Sequence, residues 1–309
     1  MTPRPRTVVL GGTGYIGAEL VAALGADAGR TGEEVVAVGR RAPDRPDPQG
    51  RTTTVRCDLS RPGSTTRVVQ GADTVVHLVA HTDPTSSWRG SDGATEVRVL
   101  REVLSAAAHA DAPPRVLLAS TLVPSPPSPE PSGHERTKRA LEDLLAEAVT
   151  DGRVRGAALR LGTVFGLGAG GPGRGLVATL VGRALAGEPL TVWRGAEVTR
   201  TLVHVRDVAA AFARAARLAD GADGAVWSVP GADELPVPRV AEIVAEEVGA
   251  ATGRPVPVEL VSPPPWAVAA DFRDVRADGA PFRRATGWQP RTTLRAGVRD
   301  LIAHARAAA

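Results

Sequence analysis

Short apolar runs alternate with stretches of helical spacing through the first half of the chain, where apolar positions recur at three- and four-residue intervals. The runs predict strands over residues 7–10, 35–38, 53–56, 74–77, 115–119 and 155–159, and the periodic stretches predict helices over 14–28, 62–69, 92–111 and 133–149. Buried strands separated by helices imply a parallel sheet wound on both faces with right-handed crossovers, an α/β architecture. After Leu161 the rhythm shortens and prolines punctuate it. Helices are expected over 176–185, 206–219, 238–252 and 294–307, and strands over 190–193, 201–205 and 225–229. The division implied is a dinucleotide-binding domain over residues 1–162 and a smaller α+β substrate lobe over 163–309, with segments around 200–230 returning to the first domain.

Composition narrows the function classes. The chain has 309 residues, enough for a large core, and a net charge of only +3. Aromatics make up 3% of it and basic residues are dispersed, which argues against a nucleic-acid partner. No run is long and apolar enough to predict a membrane span, and the expected location is cytoplasmic. A lone cysteine, Cys57, excludes an intramolecular disulfide and a cysteine-rich metal site. Against 37 Lys+Arg residues, Lys138 is the single lysine. A chain that otherwise writes arginine marks this position as one that needs a compact ammonium.

Gly11, Gly14 and Gly17 follow the first strand and open the first helix. Glycines there let the backbone approach a pyrophosphate, and the helix N-terminus favours the anion. With Gly11, Thr13, Gly14, Tyr15, Ile16 and Gly17 the turn reads as a dinucleotide cradle. The second strand ends in Val38-Gly39-Arg40-Arg41. An acidic residue there would bond a ribose 2′-hydroxyl, whereas two guanidiniums suit a 2′-phosphate, so the expected cofactor is NADP(H). Asp58 is read either as a contact to the adenine amino group, beside Leu59, or as a cap for the following helix. Leu78, Val79 and Ala80 end the fourth strand where the nicotinamide ribose should lie, and Leu161 closes the same wall. His77 is expected in the core and His81 in the crevice, against substrate or ribose.

In this order the motifs resemble the extended short-chain dehydrogenase/reductases, a family of Rossmann-type enzymes. The matching stretches are Gly11-Gly-Thr-Gly-Tyr-Ile-Gly17, Asp58-Leu59, His77-Leu-Val-Ala80, Ala119-Ser-Thr121, the helix bearing Lys138, Leu159-Arg-Leu-Gly-Thr-Val-Phe-Gly166 and Arg200-Thr-Leu-Val-His-Val-Arg-Asp207. Ser86-Ser-Trp-Arg89, Gly173-Arg-Gly175 and Thr286-Gly-Trp-Gln-Pro290 further resemble the nucleoside-diphosphate 4-keto-6-deoxyhexose 4-ketoreductases of antibiotic deoxysugar pathways. That likeness implies a dTDP-4-keto-6-deoxy sugar as substrate and a homodimer packed through the helices at 92–111 and 133–149. It also implies a hydroxyl at Thr121 that hydrogen-bonds the substrate carbonyl, a ribose-holding ammonium at Lys138, and pocket or diphosphate contacts at Thr163, Arg174, Arg200 and Arg273.

The chain departs from that family at its acid. The family pairs Ser or Thr with Tyr-x-x-x-Lys, and the tyrosine position here is His134. Imidazole is about 2 Å shorter in reach than phenol, so donation needs a shifted substrate or one water. Lys138 and an oxidised nicotinamide should also depress its pKa from about 6.5. Three readings stay open: His134 is the acid, directly or through water; the reductase works without a good acid; or the protein binds cofactor and sugar nucleotide without turnover. The first is taken forward, with an epimerase of the same fold as the enzymatic alternative. Leu122-Val123 occupy the places where dehydratases carry an acid–base pair, which argues against dehydration.

Overall fold

The computed structural model describes residues 4–41, 52–80, 93–123, 131–218 and 222–308. The first half supplies six parallel strands: β1 (Arg6–Leu10), β2 (Glu34–Gly39), β3 (Thr52–Arg56), β4 (Thr74–His77), β5 (Arg115–Thr121) and β6 (Arg155–Leu161). Helices α1 (Tyr15–Thr31), α2 (Ser64–Val69), α3 (Ala94–Ala107) and α4 (Gly133–Thr150) connect them. The seventh strand of the sheet comes from much later: β10 (Val226–Val229) lies parallel beside β6, giving the order β10-β6-β5-β4-β1-β2-β3. This is a doubly wound Rossmann-like sheet, and its order reverses between β1 and β4.

Alternation along each strand sends side chains to opposite faces, and β1 shows the result. Val8 and Leu10 join a core with Leu100, Leu104, Leu141 and Leu145 under α3 and α4. Val9 turns the other way, into a core with Leu20 and Leu24 of α1 and with Val208 and Phe212 of α6 (Val205–Ala215). Phe282 and Trp288 complete that second core from beyond residue 280. Trp288 donates from its indole nitrogen to the Asp207 carbonyl at 2.9 Å, and the Asp207 carboxylate accepts from the Thr292 amide at 2.9 Å. A chain segment remote in sequence is thereby pinned under the sheet.

The remaining elements build the lobe beside the carboxyl ends of the strands. β7 (Thr163–Phe165), β9 (Thr199–His204) and β11 (Asp233–Pro236) form a small mixed sheet, and β8 (Leu190–Trp193) pairs in parallel with β12 (Val258–Val261). Helices α5 (Leu176–Leu185), α7 (Val237–Thr252) and α9 (Leu294–Ala307) pack around a third core containing Leu180, Val244, Val298 and Leu301, and α8 (Ala280–Thr286) sits against β10.

Several boundaries differ from the sequence expectation. α2 starts at Ser64 because Gly63, at φ 75°, breaks the chain out of the preceding turn. β6 runs to Leu161 because β10 pairs with it to that residue. α3 spans only Ala94–Ala107, and α6 begins at Val205 behind a histidine cap. β7, β11, β12 and α8 have no counterpart among the predicted elements.

Candidate active site

Ligands of open parallel sheets sit at the carboxyl ends of the strands where the order reverses, and the glycine turn lies there. Gly11 adopts φ +83°, and a Cβ on it would lie 3.0 Å from the Leu78 carbonyl oxygen at the end of β4. A Cβ on Gly17 would run into the Gly11 carbonyl, and one on Gly12 would meet the Ala37 backbone at 2.9 Å. The turn is thus closed by steric necessity against β2 and β4. Gly14 is the N-cap of α1 and supplies no capping side chain. The opening amides of Tyr15, Ile16 and Gly17 are presented as an anion site. The cradle fits a pyrophosphate.

A second layer covers that turn. The stretch Gly166-Leu-Gly-Ala-Gly-Gly-Pro-Gly-Arg-Gly175 crosses from the small lobe onto the start of α1. Tyr15 donates its hydroxyl to the Gly166 carbonyl at 2.7 Å, and Glu19 accepts from the Ala169 amide at 2.7 Å. Gly170 lies against the Gly14 carbonyl, and Gly173 against the Tyr15 ring. Burial raises the Tyr15 phenol above its ordinary value. Its hydroxyl therefore fastens the strap, and only its backbone is offered to a dinucleotide.

Around the adenosine end, Arg40 and Arg41 are exposed at the end of β2. Thr13 fills the space above Gly39, so the room left by that glycine holds the threonine hydroxyl. Asp58 accepts from the Ser60 amide at 3.0 Å and hydroxyl at 2.7 Å, which with Arg61 and Arg40 holds its carboxyl below the usual range. It closes a local turn rather than capping α2, whose cap is Gly63. Leu59 is buried, Leu78 and Val79 are half-buried, Ala80 is exposed, and Leu161 ends β6 in the core.

The candidate catalytic side chains lie on β5 and α4, with α3 and β4 packed beside α4. Thr121 ends β5, half-buried, with its hydroxyl 3.3 Å from the Leu122 carbonyl. Helix α4 starts with a capping box in which Ser132 and Glu135 satisfy each other's backbone amides. That cap sets the first turn carrying His134, and Lys138 follows one turn later. Lys138 is buried and donates its ammonium to Glu96 of α3 at 2.7 Å, with the two side chains 7% and 3% exposed. His77 ends β4 beneath them, its Nε2 3.1 Å from the Glu96 carbonyl. Burial, then Lys138, lowers both His77 and His134 to about 4, with Glu96 opposing in each case. Both imidazoles are therefore neutral at pH 7.

Glu96 went unnoticed in the sequence, although a signal was there. It shares the buried stripe of α3 with Val99, Leu100, Val103 and Leu104. An acid on an apolar stripe needs a buried partner.

In the small lobe, Thr163 opens β7 opposite Leu202, and Arg174 is exposed on the glycine strap. The Arg200 guanidinium is committed to backbone carbonyls, donating to Arg273 at 2.6 Å, Asp271 at 3.0 Å and Thr199 at 3.1 Å. It fastens the segment around Arg273 to β9. Trp193 meets Trp266 edge-on with centroids 5.1 Å apart. His81, Ser86-Ser-Trp-Arg89 and nearly all of the serine- and proline-rich stretch at 124–131 lie outside the described residues.

The seven-stranded parallel sheet and the glycine cradle at its reversal point define a Rossmann-like α/β class. The chain belongs to the NAD dependent epimerase/dehydratase family, whose profile matches residues 7–229. Over 97% of its length, and 95% of the relative's, it is 29% identical to a dTDP-6-deoxy-L-talose 4-dehydrogenase (NAD(P)(+)) of Kitasatospora kifunensis. Among solved structures it resembles a UDP-glucuronic acid 4-epimerase of Bacillus cereus, held with UDP-glucuronic acid and NAD. The TM-score is 0.78 at 20% identity, over 97% of this chain and 99% of that one. MoeE5 in complex with UDP-glucuronic acid and NAD gives 0.76 at 25% identity, over 98% and 100%. Among the described residues, no helix is long and apolar enough to cross a membrane.

Proposed function

We propose that the protein reduces the C4 ketone of a dTDP-linked 4-keto-6-deoxyhexose with NADPH. The observation that carries this reading is the near full-length likeness to a relative named as a 4-dehydrogenase of a dTDP-6-deoxy sugar, a reaction whose reverse is reduction of the C4 ketone. The site is compatible with it. Arg40 and Arg41 follow directly on β2, whose carboxyl end carries no acid, and two guanidiniums there suit a 2′-phosphate. When bound, reduced nicotinamide supplies the hydride. Thr121 polarises the carbonyl by a hydrogen bond. Lys138 offers the ribose the protons that Glu96 does not take. His134, in its imidazolium form, delivers a proton to the forming alkoxide, directly or through one water, and is reprotonated from solvent. The neutral form that predominates at pH 7 donates a hydrogen bond. The NAD held by the structural neighbours leaves the choice of NADP as this chain's own expectation from its arginines.

The test is NADPH oxidation with a dTDP-4-keto-6-deoxyhexose, comparing wild type with His134→Ala and His134→Tyr, and NADPH with NADH. Stoichiometric NADPH consumption is expected, with His134→Ala slower by about 10²-fold or more and NADH the poorer donor. An epimerase would invert the sugar without net NADPH loss. Inversion of this kind, or tight sugar-nucleotide binding with no turnover, would overturn the reading.

A further inference from the structure

We propose that Glu96 is a positioning residue that fits this site to a histidine: its carboxylate holds and balances the Lys138 ammonium, so that the His134 imidazole works beside a paired rather than a bare cation. The inference deepens the reductase reading and rests on it for the role of His134.

The contact is built from both sides. Glu96 is the third residue of α3, where helix N-terminal amides favour a carboxylate, and its backbone carbonyl is held by His77 of β4. Gly93, just before α3, adopts φ +67° and lies so close to Thr137 that a Cβ would collide with that side chain. The start of α3 is therefore locked to the turn of α4 that carries Lys138. The result is an ammonium and a carboxylate 2.7 Å apart, both almost fully buried. The charges that act on His134 are those of Lys138 and Glu96. Lys138 lies on its own helix. Glu135 is turned to the Ser132 cap and Arg136 to the Pro131 carbonyl. Glu96 faces it from α3, and His77 lies below on β4. β5 ends in the hydroxyls of Ser120 and Thr121, and these are given to Glu142 and to the Leu122 carbonyl.

The chemistry of the two possible donors differs in sign. A phenol titrates near 10 and becomes useful when a bare cation pulls it down. An imidazole starts near 6.5, and the same cation pulls it away from protonation. A counter-charge on the lysine is a handicap to the first and a help to the second. His134 and Glu96 thus belong together as one solution.

The test needs neither substrate nor cofactor for its first part. The His134 imidazole is titrated by NMR, its signal assigned by comparison with His134→Gln, in wild type, Glu96→Gln, Lys138→Met and the Glu96→Gln/Lys138→Met double variant. Glu96→Gln is expected to lower its pKa and Lys138→Met to raise it, each by about one unit, with the double variant returning close to wild type. The double variant carries no unpaired buried charge, so it reports even where Glu96→Gln fails to fold. In a His134→Tyr background, adding Glu96→Gln should lower the introduced phenol's pKa by ultraviolet titration. The only other tyrosine, Tyr15, is buried and stays out of the range. In turnover, Glu96→Gln should then harm the histidine enzyme and help the His134→Tyr enzyme. A purely structural Glu96 would harm both. Unmoved titrations in the single variants would overturn the charge-balancing role, whatever the reaction. Titrations that move as expected without ketone reduction would overturn the reductase reading and leave the pairing standing.

Discussion

Helix α4 carries two acid–base pairs one turn apart, and they do different work. Lys138 reaches forward to Glu96 of α3, while Glu142 reaches to Arg160 of β6. The Arg160 fork grips Glu142 through both oxygens, at 2.8 and 2.6 Å, and Ser120 adds a third bond at 2.5 Å. Both oxygens of that carboxylate are engaged, and hydrogen bonding with Glu142 raises the Arg160 guanidinium above its ordinary value. The Lys138 contact is a single point, and an ammonium has three protons. A forked pair closes on itself and becomes scaffold. A point pair beside the crevice stays able to serve a ligand. The residue types alone, lysine against arginine, decide which is which.

The largest effect should separate the pairs by activity. Lys138→Met is expected to lower kcat by about 10³-fold, while Arg160→Met leaves kcat per folded molecule near wild type. Steady-state kinetics on both variants checks it, and equal losses would erase the distinction. The next effect runs the other way. Glu142→Ala removes the acceptor of both Ser120 and Arg160, and unfolding by urea should show a loss of about 3 kcal/mol, reduced to the extent that half-buried Arg160 finds water.

A third effect follows from pH. His77 and His134 sit at about 4 in the folded chain against 6.5 unfolded. The unfolded state therefore binds more protons between these values, and stability falls as pH drops through that window, by up to about 1.4 kcal/mol per pH unit for each imidazole. Urea midpoints at pH 7, 6 and 5 measure this, and His134→Gln should flatten the slope. Turnover carried by the imidazolium should rise over the same range. The smallest effect belongs to the exposed ladder on α7 and α9, where Arg239 pairs with Glu242 and Glu246. Arg239→Ala should cost no more than about 0.5 kcal/mol, a control for what an unburied pair is worth.

The alternation of strands and helices was legible through β6 because each element carries its own period. β7 was not, since it resumes directly after Gly162 and is only three residues long. β11 contains Asp233 and Pro236, and β12 is largely exposed, so neither reads as a buried run. Thr121 and His134 stand out in the sequence through the order of the family's motifs, and Lys138 also as the single lysine. Glu96 lies 42 residues from Lys138, and no local pattern joins them. Arg200 is expected from the resemblance as a pocket or diphosphate contact, and its three carbonyl partners were not legible because they depend on how the chain folds back near Arg273.

The placement of β10 and α6 has a consequence for how the molecule is made. The sheet face formed by Val9, Val76, Leu117 and Leu159 is roofed partly by Val208, Phe212, Phe282 and Trp288. On a ribosome these covers emerge long after the six strands they protect. The growing chain therefore carries an uncovered apolar sheet face through the synthesis of most of the small lobe, a period in which chaperone contact or aggregation competes with completion. A chain stopped near residue 162 would keep the cofactor turn and lack the roof that holds its helix in place.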